Sequence, residues 1–207
     1  MRPRIIGRSS SHFTRVARVF ALELEVAHDF APVLDLFSRQ PADYGDHPAL
    51  KLPVLVTDEG PWFGALASCR ELARRADATT RIVWPEQLAG RIASNAQELV
   101  LQGMATEVGL LMRSVGAAPG ALPYDDKARE SLANSLAWLD AHLAAALDTL
   151  APRRALSFFE VTTYCFLTHL PFREVLDPSG YANLSAFTRA YGERPSLRAT
   201  TYHFDAS

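Results

Sequence analysis

His47-Pro48-Ala49-Leu50-Lys51-Leu52-Pro53-Val54-Leu55-Val56-Thr57-Asp58-Glu59-Gly60-Pro61-Trp62-Phe63 is the stretch on which the fold turns. Its middle, Lys51 to Thr57, is dense in Val, Leu and Thr, which suit a pleated and half-buried surface. Asp58-Glu59-Gly60-Pro61 supplies turn chemistry and Trp62-Phe63 resumes the apolar run, so a β-hairpin is expected. Pro53 lacks an amide hydrogen and stands where the strand opens, a place at which a ladder bond can be spared. On general grounds its peptide bond is trans, since only about 5–6% of X-Pro bonds in folded proteins are cis.

Working outward, Arg4-Ile5-Ile6-Gly7 reads as a short strand, and Phe13, Val16, Ala17, Phe20 and Leu24 repeat at the helical period. Val26 to Val33 is a second strand candidate, followed by a helical turn at Leu34-Asp35-Leu36-Phe37 and a loop from Pro41 to Pro48. Beyond the hairpin, Gly64 to Ala73 returns to helical composition. The order is β-α-β-α-β-β-α, which predicts a small mixed sheet: parallel where a helix joins two strands, antiparallel at the hairpin.

The texture then changes. Asp77-Ala78-Thr79-Thr80 is polar and breaker-like, and the expected division is a first domain over 1–78, a linker over 79–84 and an all-α domain over 85–207. No strand is expected in the second part. Pro85 suits the first position of a helix running from Glu86 towards Arg113, and a second long helix is expected from about Tyr124 to Leu150, after the loop Gly116 to Pro123. Ser157-Phe158-Phe159-Glu160 fits a capping box opening a buried helix through His169. Tyr181–Tyr191 and Pro195–Thr200 supply two more short helices.

Composition narrows the functional classes. Net charge is −2 with 21% charged residues, too balanced for a polyanion partner, so nucleic acid is not expected. Cys69 and Cys165 are the two cysteines and lack the spacing of a zinc or redox site, so they are expected as buried, reduced thiols of a cytoplasmic protein, with no metal. The apolar run after Met1-Arg2-Pro3-Arg4 is broken by Gly7 and Arg8, so no signal peptide is expected, and no stretch reaches the ~20 apolar residues of a membrane span.

Taken together, the β-α-β-α-β-β-α order, the 47–55 segment and the helical remainder resemble the cytosolic glutathione transferases. So do Leu156-Ser157-Phe158-Phe159-Glu160, Tyr181-Ala182-Asn183-Leu184 and Glu193-Arg194-Pro195-Ser196. The resemblance covers nearly the whole chain and implies a thioredoxin-like N-terminal domain followed by an all-helical one. It further implies a cis Pro53, with the backbone of Leu52 pairing with the cysteinyl part of glutathione as an added strand. Lys51 would meet the glycine carboxylate, or is a solvated lysine beside a loop.

Serine-type members of that family carry a hydroxyl at the start of the first helix, in a pattern like S-P-Y-x-R-x-x-R. Here Ser11-His12-Phe13-Thr14-Arg15-Val16-Ala17-Arg18 places Ser11 at the catalytic position. A hydroxyl donating to the sulfur, with the positive end of the helix, favours the thiolate of a thiol whose free pKa is about 8.5. Ser9 or Ser10 could take that part instead, and a plain helix cap is the other reading of Ser11.

One departure stands out. The family opens its third helix with Glu/Gln-Ser to hold the γ-glutamyl end, and those positions fall here on Gly64 and Ala65. Only backbone amides at the helix start remain for a carboxylate. The lost hydroxyl removes a bond of about 1.5–3 kcal/mol. The resemblance thus implies a glutathione-dependent enzyme, homodimeric, acting on a small electrophile between its domains by conjugation or isomerisation. The alternative is a glutathione-transferase fold kept for binding without turnover. A disulfide reductase of this fold would need a cysteine at the helix start, where there is none.

Overall fold

The structure is a computed structural model, describing residues 1–76, 79–115 and 123–206. These form two compact units, Met1–Ile82 with Gly192–Ser207, and Val83–Tyr191.

In the first unit, β1 (Arg4–Gly7), α1 (His12–Glu23), β2 (Asp29–Pro32), β3 (Val54–Thr57), β4 (Gly60–Phe63) and α2 (Ala65–Arg75) follow one another. The strands form one sheet in the order β2-β1-β3-β4, with β1 and β2 parallel and the β1–β3 and β3–β4 pairs antiparallel. The expected mixed sheet is therefore present. Thr57 pins the hairpin, its hydroxyl oxygen accepting from the Glu59 amide and from the Trp62 indole, each at 3.2 Å. Ile6, Val54, Val33 and Tyr44 form a buried cluster on the sheet. Gly7 lets α1 approach β1 closely: a Cβ there would lie 2.3 Å from Thr14 Cγ2.

Two local expectations differ. β2 begins at Asp29, not Val26, because the Val26 amide closes back on the Ala21 carbonyl (2.9 Å) while Glu25 takes a left-handed φ of 53°, which ends α1. The helical turn falls at Pro41–Tyr44 rather than at Leu34–Phe37. Asp35 accepts the Phe37 amide through its side chain at 2.8 Å, a local bond that competes with helix formation. Pro41 and left-handed Gly45 (φ 61°) bracket the turn that does form.

After β5 (Ile82–Val83), a 3-10 turn covers Pro85–Gln87, and α3 (Gly90–Ser114) and α4 (Pro123–Asp148) follow. The helix expected from Glu86 is thus interrupted: the Gln87 side chain accepts the Trp84 amide at 2.8 Å, and Leu88 is extended. Residues 116–122 of the expected loop and Asp77-Ala78 lie outside the described residues. A short β6 (Leu156–Ser157) precedes α5 (Phe158–Phe172), so two brief strands lie beyond the hairpin where none was expected.

The expected capping box at α5 does not form. Glu160 instead binds Arg154 through two hydrogen bonds of 2.7 and 2.6 Å, and Ser157 Oγ has no partner among the described residues. A full guanidinium charge outcompetes a backbone amide for the carboxylate. α5 is buried along most of its length, including Cys165, and Cys69 is buried on α2. Phe166 of α5 lies where Gly103 of α3 has no side chain. Glu107 of α3 meets His169 of α5 in a buried pair at 2.7 Å. α6 (Ala182–Tyr191) completes the unit, its first amides accepted by Asp140 of α4. Among the described residues no helix is long and apolar enough to cross a membrane.

The sequence division counts Gly192–Ser207 with the helical part, whereas those residues pack with the first unit. Arg194, just before α7 (Pro195–Ala199), forms a two-bond pair with Glu23 at 3.0 and 2.6 Å, and the Ser196 hydroxyl donates to the same carboxylate. Burial pushes the Glu23 carboxyl up, but the hydrogen bonds from Arg194 and Ser196 and the Arg194 charge more than offset it, leaving its pKa below the ordinary value. Because folding lowers this group's proton affinity, its contribution is complete above the unfolded carboxyl value of about 4.3 and fades as pH falls through the lower folded value. Glu23→Gln is expected to cost about 1–2 kcal/mol at pH 7, shrinking as the pH drops below about 4. Urea unfolding of both proteins across that window measures it.

Candidate functional site

β1, β3 and β4 bring distant parts of the chain to one end of the sheet. Ile6 faces Val54 across β1–β3, and Val54 faces Phe63 across β3–β4. The turn after β1, the approach to β3 and the exit from β4 therefore share that end, and the Gly64 amide donates to the Pro53 carbonyl at 3.0 Å. Ser11, Lys51, Leu52, Pro53, Gly64 and Ala65 all belong to these three segments.

The three serines have separate surroundings. Ser9 and Ser10 are buried, while Ser11 retains partial exposure. Ser9 donates its amide to Asp205 Oδ2 at 2.9 Å, and its hydroxyl oxygen accepts from Arg18 Nη1 at 3.2 Å. Ser11 is the N-cap of α1: extended at φ −108° and ψ 124°, it accepts the Thr14 amide through Oγ at 3.3 Å. A hydroxyl offers one proton and two lone pairs, so accepting this amide leaves the proton of Ser11 available as a donor. Capping and donation are compatible at one residue.

The Leu52-Pro53 bond is cis. Pro53 is buried, Leu52 half-buried and Lys51 exposed. Among the described residues no hydrogen bond engages the Leu52 amide or carbonyl. His47 Nδ1 accepts the Ala49 amide at 3.1 Å, which leaves the ring proton on Nε2, and the ring lies 4.3 Å from that of Phe63. Burial, then the charge of Lys51, lower the His47 pKa.

Gly64 precedes α2 with φ 81° and ψ 166°, and a Cβ there would meet nothing within 4 Å. The space is open but the backbone is strained for any other residue. Ala65 is buried, and the N-terminus of α2 has no side-chain cap.

Sequence reasoning missed Arg15, Arg18 and Asp205 as neighbours of the serine turn. Arg15 donates to the Leu197 carbonyl at 2.9 Å and to Thr200 Oγ1 at 3.4 Å, with its guanidinium 4.3 Å from the Tyr202 ring centroid. Arg18 stacks 4.4 Å from the Phe30 centroid. Burial lowers the Arg18 pKa, opposed by Asp205 and reinforced by Arg15. The two arginines stood in the quoted motif, but nothing local marked Asp205.

No family model matches the sequence, and no curated protein matches it. Solved structures do. A glutathione transferase family member from Pseudomonas fluorescens Pf-5, with bound glutathione, aligns at a TM-score of 0.77 and 18% identity over 97% of this chain and 99% of that one. The glutathione S-transferase of Methylobacillus flagellatus KT, with GSH bound, gives 0.76 and 19% over 97% and 100%. That of Methylobacterium radiotolerans JCM 2831, in complex with glutathione sulfonate, gives 0.75 and 18% over 100% and 98%. The sheet order, the position of the cis proline and these likenesses agree: this chain has the glutathione transferase fold, a thioredoxin-like unit followed in sequence by a helical one.

Proposed function

We propose that the protein is a glutathione transferase-like enzyme whose Ser11 hydroxyl activates the thiol of bound glutathione for conjugation to, or isomerisation of, a small electrophile. The observation that carries this reading is the Ser11 geometry: Oγ accepts the Thr14 amide and keeps its proton free, at the sheet end that also bears cis Leu52-Pro53. Leu52 offers its amide and carbonyl to the cysteinyl backbone, and exposed Lys51 offers charge to the glycine carboxylate. Residues 1–78 form the glutathione-binding domain in this reading. Its partners are glutathione and an electrophile in the cytoplasm, with a homodimer as the assembly and no metal, nucleic acid or membrane.

Gly64-Ala65 favours a second reading, a fold retained for binding without turnover, since neither residue offers a side-chain donor. One variant separates the two. A serine at position 64 is strained by the φ of 81°, whereas position 65 is ordinary helix, so Ala65→Ser restores a hydroxyl without a backbone penalty. Calorimetric titration of reduced glutathione is expected to show wild-type binding, and Ala65→Ser binding tighter by about tenfold. Heat without turnover of any chromogenic electrophile supports the second reading. Absence of binding by both proteins at millimolar glutathione overturns the first.

A further inference from the structure

Of the motif arginines, Arg15 turns towards the C-terminal segment that packs with the first unit, and Arg18 towards the serine turn. Arg15 holds the Leu197 carbonyl and Thr200 Oγ1, and Arg18 holds Ser9 Oγ. From the same segment Asp205 accepts the Ser9 amide at 2.9 Å, with its side chain only 7% exposed. A carboxylate that buried needs compensation. Here it comes from the Ser9 amide, while His203 Nε2 lies 3.9 Å from the other oxygen. The turn they hold is short: the Ser11 amide closes on the Arg8 carbonyl at 3.1 Å, and the Arg8 amide donates to Thr14 Oγ1 at 3.3 Å.

We propose that Asp205 is a positioning residue for the Ser11 hydroxyl, anchoring the Arg8–Ser11 turn through the Ser9 amide and so setting the direction in which Ser11 presents its proton. The proposal rests on the thiol-activating role of Ser11 given above. The turn is pinned at one side by Thr14, within α1, and at the other by Asp205 and Arg18. Without Asp205 a buried amide loses its acceptor, and the turn must shift to rehydrate it. A displacement of this kind moves the donor relative to the sulfur while leaving the Leu52 backbone in place.

The sign of the effect separates positioning from charge. A carboxylate acting through its charge would disfavour the nearby thiolate, so its removal would lower the bound thiol's pKa. Positioning predicts the reverse. Asp205→Ala is expected to raise the pKa of bound glutathione, followed by thiolate absorbance, and to lower kcat about tenfold with KM for glutathione held within about twofold. Asp205→Asn keeps the acceptor and loses the charge, and is expected to stay within about twofold of wild type in both. In the free protein, amide exchange at Ser9 is expected to quicken about tenfold or more in Asp205→Ala but not in Asp205→Asn.

A pKa that falls or stays constant in Asp205→Ala, while Ser11→Ala does shift it, overturns the proposal alone. Unchanged Ser9 exchange overturns it as well. A wild type that binds no glutathione overturns the proposed function and this role with it, and the exchange measurement distinguishes that result from a segment that never held the turn.

Discussion

Ser11→Ala raises the pKa of the thiol of bound glutathione by one to two units and lowers kcat by about a hundredfold, the scale on which loss of one preorganised donor is felt. Each unit of that shift is about 1.4 kcal/mol of thiolate stabilisation withdrawn. KM for glutathione changes little, because the contacts proposed to hold the tripeptide come from Lys51 and the Leu52 backbone. The variant also loses its helix cap, at a cost of about 1 kcal/mol in stability. Two further variants separate the roles. Ser11→Thr keeps both the acceptor and the proton, and retains activity. Ser11→Asp keeps the cap but has no proton to give at neutral pH and adds a negative charge beside the sulfur, so it remains folded and inactive. Absorbance titration of the bound thiol, with denaturant unfolding of each variant, reads both quantities. A fully active Ser11→Asp would leave Ser11 as a cap only.

Phe166→Ala destabilises the helical unit by about 3–5 kcal/mol, the range for deleting a fully buried aromatic side chain. The reason lies in the pairing with Gly103, whose hypothetical Cβ falls 2.5 Å from Phe166 Cζ. Phe166 fills the space that the absent side chain leaves. Gly103→Ala therefore overpacks the contact and costs about 1–3 kcal/mol despite alanine's better helix propensity. In a Phe166→Leu background the ring tip is gone, and the alanine becomes neutral or favourable. Urea denaturation of the four proteins in this double-mutant cycle measures the coupling, expected at 1 kcal/mol or more. Additive single and double changes would mean that the two positions do not constrain each other.

Much of the fold could be read from local pattern. The hairpin at 54–63 followed from β-branched residues around Asp58-Glu59-Gly60-Pro61, and α1 from the spacing of Phe13, Val16, Ala17 and Phe20. Both signals are periodic and need no distant partner. Boundaries were harder. Val26 is β-branched and suits a strand, yet its amide serves to stop α1; Glu160 sits in a capping box by sequence, yet Arg154 takes it. In each case a partner offering a better bond displaced the local preference.

At the candidate site the division is similar. The family resemblance pointed to Ser11, Lys51, Leu52-Pro53 and the missing donors at Gly64 and Ala65 as candidates, because it matches residue type and order along the chain. Tertiary structure decided which serine is accessible, since the burial of Ser9 and Ser10 depends on packing that no local signal records. It also decided that Asp205, 196 residues away, reaches the Ser9 amide, and that Glu23 pairs with Arg194 across 171 residues. Periodicity and turn chemistry are properties of neighbours in sequence, whereas a single charged hydrogen bond between remote segments is selected only once the sheet and α1 have brought its two ends together.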